Sequence, residues 1–326
     1  MKPFKTIDEQ IAILKAKGLI IQEDSQNQVQ NILKFGNYYN IINGYKDPFL
    51  SDGTDTEMFK PNTNFHDIYT LHQLDNHFRR LLLPEILIFE TNIKSLIAYH
   101  FANLFEENDF YLKIENYQTD SKDVEDELRQ FINGLIRLID YHSRLGAPEN
   151  PIKHYHSKYG SIPLWVLINF MSFGHVVKMY RFLKHALQNS VAKDFSIIFN
   201  NNYSSKIEIT SADLLSIMKT ANFFRNICAH TDRLYSFKLD KKPTTNRIAN
   251  ILDLENSILS DGNLFTMVAM LKVVRPKDDY TRFKENLENS FRVFQNIIDS
   301  VQGFQSVPFQ NIMIQMGFPE NWKSLI

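Results

Sequence analysis

A single cysteine, Cys228, rules out an internal disulfide and leaves no cysteine cluster to hold zinc. That usage fits a reducing cytoplasm. No run reaches ~18 uninterrupted apolar residues, the length a spanning helix needs. The most apolar stretches, LLLPEILIFE and IPLWVLINFMSF, are broken by polar groups and read as buried helices. The opening MKPFKTIDEQ lacks the basic-then-apolar pattern of a secretory leader. An excess of one charge is also missing: 36 Lys and Arg stand against 37 Asp and Glu, for a formal net charge of -1. A protein that coats DNA through its whole surface is thereby excluded, although a local basic cleft can still hold nucleic acid. Sustained strand alternation, internal repeats and low-complexity tracts are absent. So are a phosphate-binding glycine loop, a Gly-rich dinucleotide turn and a nucleophile elbow.

What the chain does have is core. Its 326 residues are 44% hydrophobic, with 26 Phe and 14 Tyr spread throughout. That suffices for one large domain or two modest ones, and the aromatics read first as packed interior. Thr6 before Ile7-Asp8-Glu9 is a capping-box arrangement, and Ser25 with Gln28 repeats it. A long helical pattern spans about 66–106, with Pro84 expected to kink it or begin a new helix. Polar linkers are expected at 50–64 and 112–122, and a helix at about 122–143. A loop is expected at 144–162, after which Pro163 opens another helix. A strongly apolar helix follows from Thr210 or Ser211, and two or more helices occupy about 248–273 and 278–302. The fold class is all-α.

Arg225, Asn226 and His230 interrupt the apolar helix that carries Leu214, Ile217, Met218, Phe224 and Cys228. Asn226 and His230 are four apart and stack on one side, while the long Arg225 side chain can swing to the same end. The chemistry matches RNA cleavage. RNA carries its own nucleophile, the 2'-hydroxyl. A histidine can remove that proton or protonate the leaving oxygen, and an arginine can fork onto phosphate. Such a route requires no metal. The same spacing also suits a purely structural helix end, with Arg225 in an ion pair and His230 capping carbonyls.

The remaining candidates have simpler readings. His154 and His156 lack a third ligand at motif spacing and read as a polar loop. Trp165 and Phe173 read as core, and Cys228 as a small buried hydrophobe. Arg233, Lys238, Lys241, Lys242 and Arg247 follow the His230 helix and are candidate contacts to an RNA backbone, against the plainer alternative of a solvated loop.

Several stretches resemble the Abi-like family of bacterial abortive-infection proteins, of the AbiD/AbiF type. They are TIDEQIAILKAKGLII, NYYNIINGYKDPF, LPEILIFETNIKSLIAYH, IPLWVLINFMSFG, the signature FFRNICAHTDRLYS and the tail MGFPENW. That family is related to the HEPN superfamily of metal-independent endoribonucleases. The resemblance implies a HEPN-like helical core at 65–240, with an N-terminal helical extension at 1–64 and a C-terminal helical region at 241–326. It assigns catalysis to Arg225, Asn226 and His230, with Glu90 and Lys94 in support. It further implies an RNA substrate, a homodimer with a shared cleft, no cofactor, and a toxin-like or antiphage role restrained by a small RNA or protein antitoxin. The alternative is a catalytically silent RNA-binding or protein-interaction module. A nucleotide-modifying enzyme is more remote, since no triphosphate-binding motif accompanies the cluster.

Overall fold

The computed structural model describes residues 3–53, 57–105, 109–300 and 306–326. Helices dominate, and among the described residues pairing of extended chain is confined to isolated bridges such as Ile20 with Asn64 and Tyr117 with Leu183. The all-α class follows.

Two short helices, α1 (Ile7–Ala16) and α2 (Gln26–Gly36), open the chain. The capping box at Thr6 forms, with Thr6 and Glu9 exchanging hydrogen bonds. Its expected twin does not: Ser25 has helical backbone angles and gives its hydroxyl to the Gln22 carbonyl instead. A π-helical turn at Tyr39–Asn43 then buries Ile41 and Ile42.

The axis of the molecule is α3 (Phe65–Leu104), 40 residues long, or ~60 Å at 1.5 Å per residue. Asn64 and Asp67 cap it reciprocally at 2.9 and 3.0 Å. Ile68, Leu71, Phe78, Leu82, Ile86, Phe89, Ile93 and Ile97 form its buried stripe, spaced by three and four. Pro84 does not start a new helix. A proline inside a helix costs about 3 kcal/mol, but the stripe is buried on both sides of Pro84, so packing holds the two halves in one rod.

Next come α4 (Lys122–Ser143), α5 (Pro151–Tyr159), α6 (Leu164–Leu167), α7 (Phe173–Phe182) and α8 (His185–Tyr203). The loop expected at 144–162 therefore contains a helix, capped by Asn150 at the Lys153 amide (3.1 Å), with Pro151 in its first turn and Gly160 closing it in the left-handed region. The linker expected at 112–122 is packed as well: Asn116 is buried, and Gln118 N–H donates to the Phe182 carbonyl at 2.8 Å. Helix α8 buries Leu187, Val191, Phe195 and Phe199, one per turn.

Helix α9 (Ser211–His230) packs against α3, α7 and α8. The region expected as helix at 248–273 is three pieces: α10 (Asn246–Leu252), α11 (Asn256–Leu259) and α12 (Leu264–Val274). In α12 every residue except Lys272 is buried. A helix apolar all round needs cover on all sides, and α3, α8, α9, α10, α11 and α13 (Lys277–Ser300) supply it. The expected end of that last long helix at 302 lies outside the described residues. Two short helices, α14 (Phe309–Gln315) and α15 (Trp322–Leu325), dock the tail. There Phe318 and Trp322 pack on Phe291, with ring centroids 4.9 and 5.6 Å away. One contiguous hydrophobic core runs from Ile11 to Ile326.

Candidate active site

Helix α9 begins with a reciprocal cap. The Thr210 N–H donates to Asp213 at 2.9 Å, and the Asp213 N–H donates to Thr210 Oγ1 at 3.2 Å. Leu214, Ile217, Met218, Ala221, Phe224 and Cys228 then bury one face. Burial on that face fixes the rotation of the helix and leaves Asn226 and His230 exposed on the other, with Arg225 between. At 1.5 Å per residue, Arg225 and His230 stand ~7.5 Å apart along the axis, a separation that two side chains can close on one phosphodiester.

The helix stops immediately after His230. Thr231 adopts φ 59° and ψ 27°, and its N–H and that of Asp232 both reach the Ile227 carbonyl. A β-branched residue in the left-handed region is strained, so something must hold the turn. That something is a buried clamp on α3. Asp75 is fully buried and accepts from the Leu234 and Tyr235 amides at 3.0 and 2.6 Å and from Tyr45 Oη–H at 2.7 Å. Arg79 pairs with Asp75 and donates to the Asp232 carbonyl at 2.9 Å and to Asn76 at 2.6 Å. Burial pushes the Asp75 carboxyl up, against the opposing pull of Arg79 and the two amides. Sequence reasoning missed this clamp. Its signal was available as an acid and a base four apart within the apolar stripe of Leu71, Leu74 and Phe78.

Glu90, about three turns along α3 from Arg79, meets Arg225. Its Oε2 lies 3.7 Å from Arg225 Nε, and its Oε1 lies 2.8 Å from Lys94 Nζ. Glu90 is buried, and neither its Oε2 nor Arg225 Nε has a hydrogen-bond partner among the described residues. The carboxylate thus holds Arg225 by charge while leaving the fork of the guanidinium uncommitted. Of the expected site residues, Glu90 meets both Lys94 and Arg225, while Asn226 and His230 are exposed in the last two turns of α9.

Four of the five basic residues expected as RNA contacts form ion pairs with other carboxylates. Arg233 donates to Asp47 at 2.9 Å and to the Gly44 carbonyl at 3.1 Å. Lys238 and Lys242 both pair with Asp261. Phe237 packs on Phe224, and Ser216 Oγ donates to the Thr244 carbonyl, so this loop runs back along α9 toward its start. Arg247 accordingly binds Asp213 at 3.0 Å, in the first turn, ~25 Å from His230 by helical rise. Of the five expected contacts, Lys241 alone shows no ion pair among the described residues.

Three other residues need a new description. Trp165, expected in the core, is 50% exposed, because it is the outward position of the four-residue α6, whose remaining members are buried. His154 and His156 sit on α5 rather than in a loop, with no third donor beside them among the described residues. Burial pushes the Cys228 thiol from its ordinary value of 9 up to about 12. It is therefore a neutral core group, and native protein at pH 8 should resist a disulfide-exchange reagent that labels it promptly after unfolding. The sign follows: the unfolded thiol ionises first, so its contribution to stability is complete below pH 9 and is lost as pH rises to about 12.

No helix among the described residues is long and apolar enough to cross a membrane. No curated protein and no solved structure matches the chain. A model of the Abi-like protein family matches residues 31–236, from within α2 through the clamped Tyr235, and so includes Glu90, Lys94, Arg225, Asn226 and His230. On a match of that extent, the chain belongs to the Abi-like protein family.

Proposed function

We propose that this protein is a HEPN-type endoribonuclease acting in antiphage defence or growth arrest. Family membership carries the abortive-infection role. The nuclease reading rests on one observation. Arg225, Asn226 and His230 share the last two turns of a helix whose opposite face is buried, and a buried carboxylate holds Arg225 without consuming its fork.

In the proposed reaction His230 takes the proton of a ribose 2'-hydroxyl, and the 2'-oxygen attacks the adjacent phosphorus. Arg225 neutralises the charge growing on the non-bridging oxygens, and Asn226 orients the phosphate. The bond from phosphorus to the 5'-oxygen breaks. The leaving oxygen takes up a proton, and the products end in a 2',3'-cyclic phosphate and a 5'-hydroxyl. One chain offers a single His230 at this end of α9, so a homodimer that sets two such ends around one cleft would furnish both the base and the acid. A small RNA or a protein bound over that cleft would act as the antitoxin.

The test incubates wild type and His230→Ala with a mixed RNA pool in chelator. Cleavage to 2',3'-cyclic phosphate ends by wild type, lost in the folded variant, is expected. Equal activity in both would sink the mechanism. Binding of RNA without cleavage by wild type would favour the silent binding module.

A further inference from the structure

We infer that the groove between α3 and α6 is a subsite for an unpaired nucleobase of the RNA, flanking the phosphate held by Arg225; the inference rests on the ribonuclease reading for its substrate. The groove encloses about 540 Å³ and is lined by Lys94, Tyr99 and Asn103 from α3 and by Trp165 and Asn169 from the α6 segment. It shares one residue with the candidate site. Lys94 is both its first cation and the partner of Glu90, which holds Arg225. From Lys94 the wall follows α3 for nine residues to Asn103, ~14 Å.

Two large aromatics stand open in this groove. Tyr99 is 65% exposed and Trp165 is 50% exposed. The Tyr99 ring meets the neighbouring His100 ring edge-on at 5.2 Å, and Trp165 has no ring partner among the described residues. Hydrogen-bonding groups sit beside them. Asn169 donates to the Trp165 carbonyl at 2.7 Å, which leaves its own carbonyl oxygen to accept, and the Asn103 amide is exposed. No carboxylate is among the described lining residues, so nothing in the groove repels the phosphates that flank a base. Aromatic faces, amide edges and one cation suit a planar heteroaromatic with exchangeable edges better than an aliphatic side chain. Base stacking on aromatics is worth about 1–3 kcal/mol per base. Bases become available for it only in single strands, loops and bulges, so this groove selects unpaired RNA.

Trp165 is also its own reporter, since the other tryptophan, Trp322, is buried. The probe is a short mixed-sequence 2'-O-methyl oligoribonucleotide, which lacks the nucleophile and reads binding alone. We expect it to quench the fluorescence of wild type, and the same sequence as a duplex to leave it unchanged. Affinity measured by anisotropy of the labelled probe should fall about tenfold or more in Trp165→Ala and in Tyr99→Ala, while Trp165→Phe retains most of it. Both sites are exposed, so the variants should melt with wild type. Unchanged affinity in both alanine variants overturns the subsite. So does dissociation of a wild-type dimer by either variant with RNA affinity intact, which would assign the groove to a second copy. Quenching by wild type with no cleavage of natural RNA supports the subsite and defeats the ribonuclease reading. Full cleavage by both alanine variants, with none by His230→Ala, does the reverse.

Discussion

Replacing Arg225 or His230 by alanine should lower the rate of RNA cleavage by about 10²–10⁴-fold, the range for a lost phosphate-stabilising donor or a lost proton-transfer group. Melting should change little, because His230 is exposed and Arg225 makes one long contact at 3.7 Å. Arg225→Lys is the sharper variant. It keeps a positive charge near Glu90 but replaces a planar fork with a point charge. If the role of Arg225 is to grip two phosphate oxygens, lysine restores little of the rate. If it is only to neutralise the buried Glu90, lysine restores nearly all of it and alanine destabilises the fold. Initial rates on one RNA at saturating substrate, beside a thermal melt of each variant, separate the two cases. A cleavage rate for Arg225→Ala within threefold of wild type would remove Arg225 from the mechanism.

The Asp75→Ala variant should lose stability rather than chemistry. Asp75 and Arg79 are both buried, and the carboxylate also satisfies the Leu234 and Tyr235 amides. Alanine leaves the buried guanidinium without a counter-ion and two buried N–H groups without an acceptor. Breaking one side of such a pair costs about 3–5 kcal/mol, and so roughly 4–7 °C of melting temperature in a chain of this size. Activity should fall in the residual folded protein as well, because the clamp is what carries the chain through the strained turn at Thr231 directly after His230. Removing both charges with Asp75→Leu and Arg79→Met should cost less than Asp75→Ala alone, since it leaves no unpaired charge behind. Denaturant melts of the three variants check this. A loss below 1 kcal/mol for Asp75→Ala would show that the clamp opens without unfolding the core.

Periodicity made the apolar faces of α3, α4 and α9 legible, and the spacing of Asn226 and His230 already placed them on one side. The resemblance supplied the pairing of Glu90 with that cluster, which no local pattern contains. Elsewhere the local pattern misled in recognisable ways. Pro84 signals a break that the buried stripe on both sides overrides. The region 144–162 is rich in turn residues that turned out to be caps: Asn150, Pro151 and Gly160 delimit α5 rather than exclude it. Trp165 sits in an apolar run that predicts burial, but a helix of one turn presents one position outward, and composition does not say which.

Two determinations therefore stand apart. The linear chain by itself determined an all-helical fold without membrane-spanning runs or disulfides, and a polar Arg-Asn-His end on one buried helix, because these follow from the local spacing of apolar and polar groups. Only the tertiary structure decided which charges work together. Glu90 reaches Arg225 from 135 positions away, Asp75 and Arg79 fasten the turn beyond His230, and Arg247, near in sequence, is carried to the far end of α9. Those partners depend on how long helices cross and where a loop doubles back, and packing of the whole core sets both.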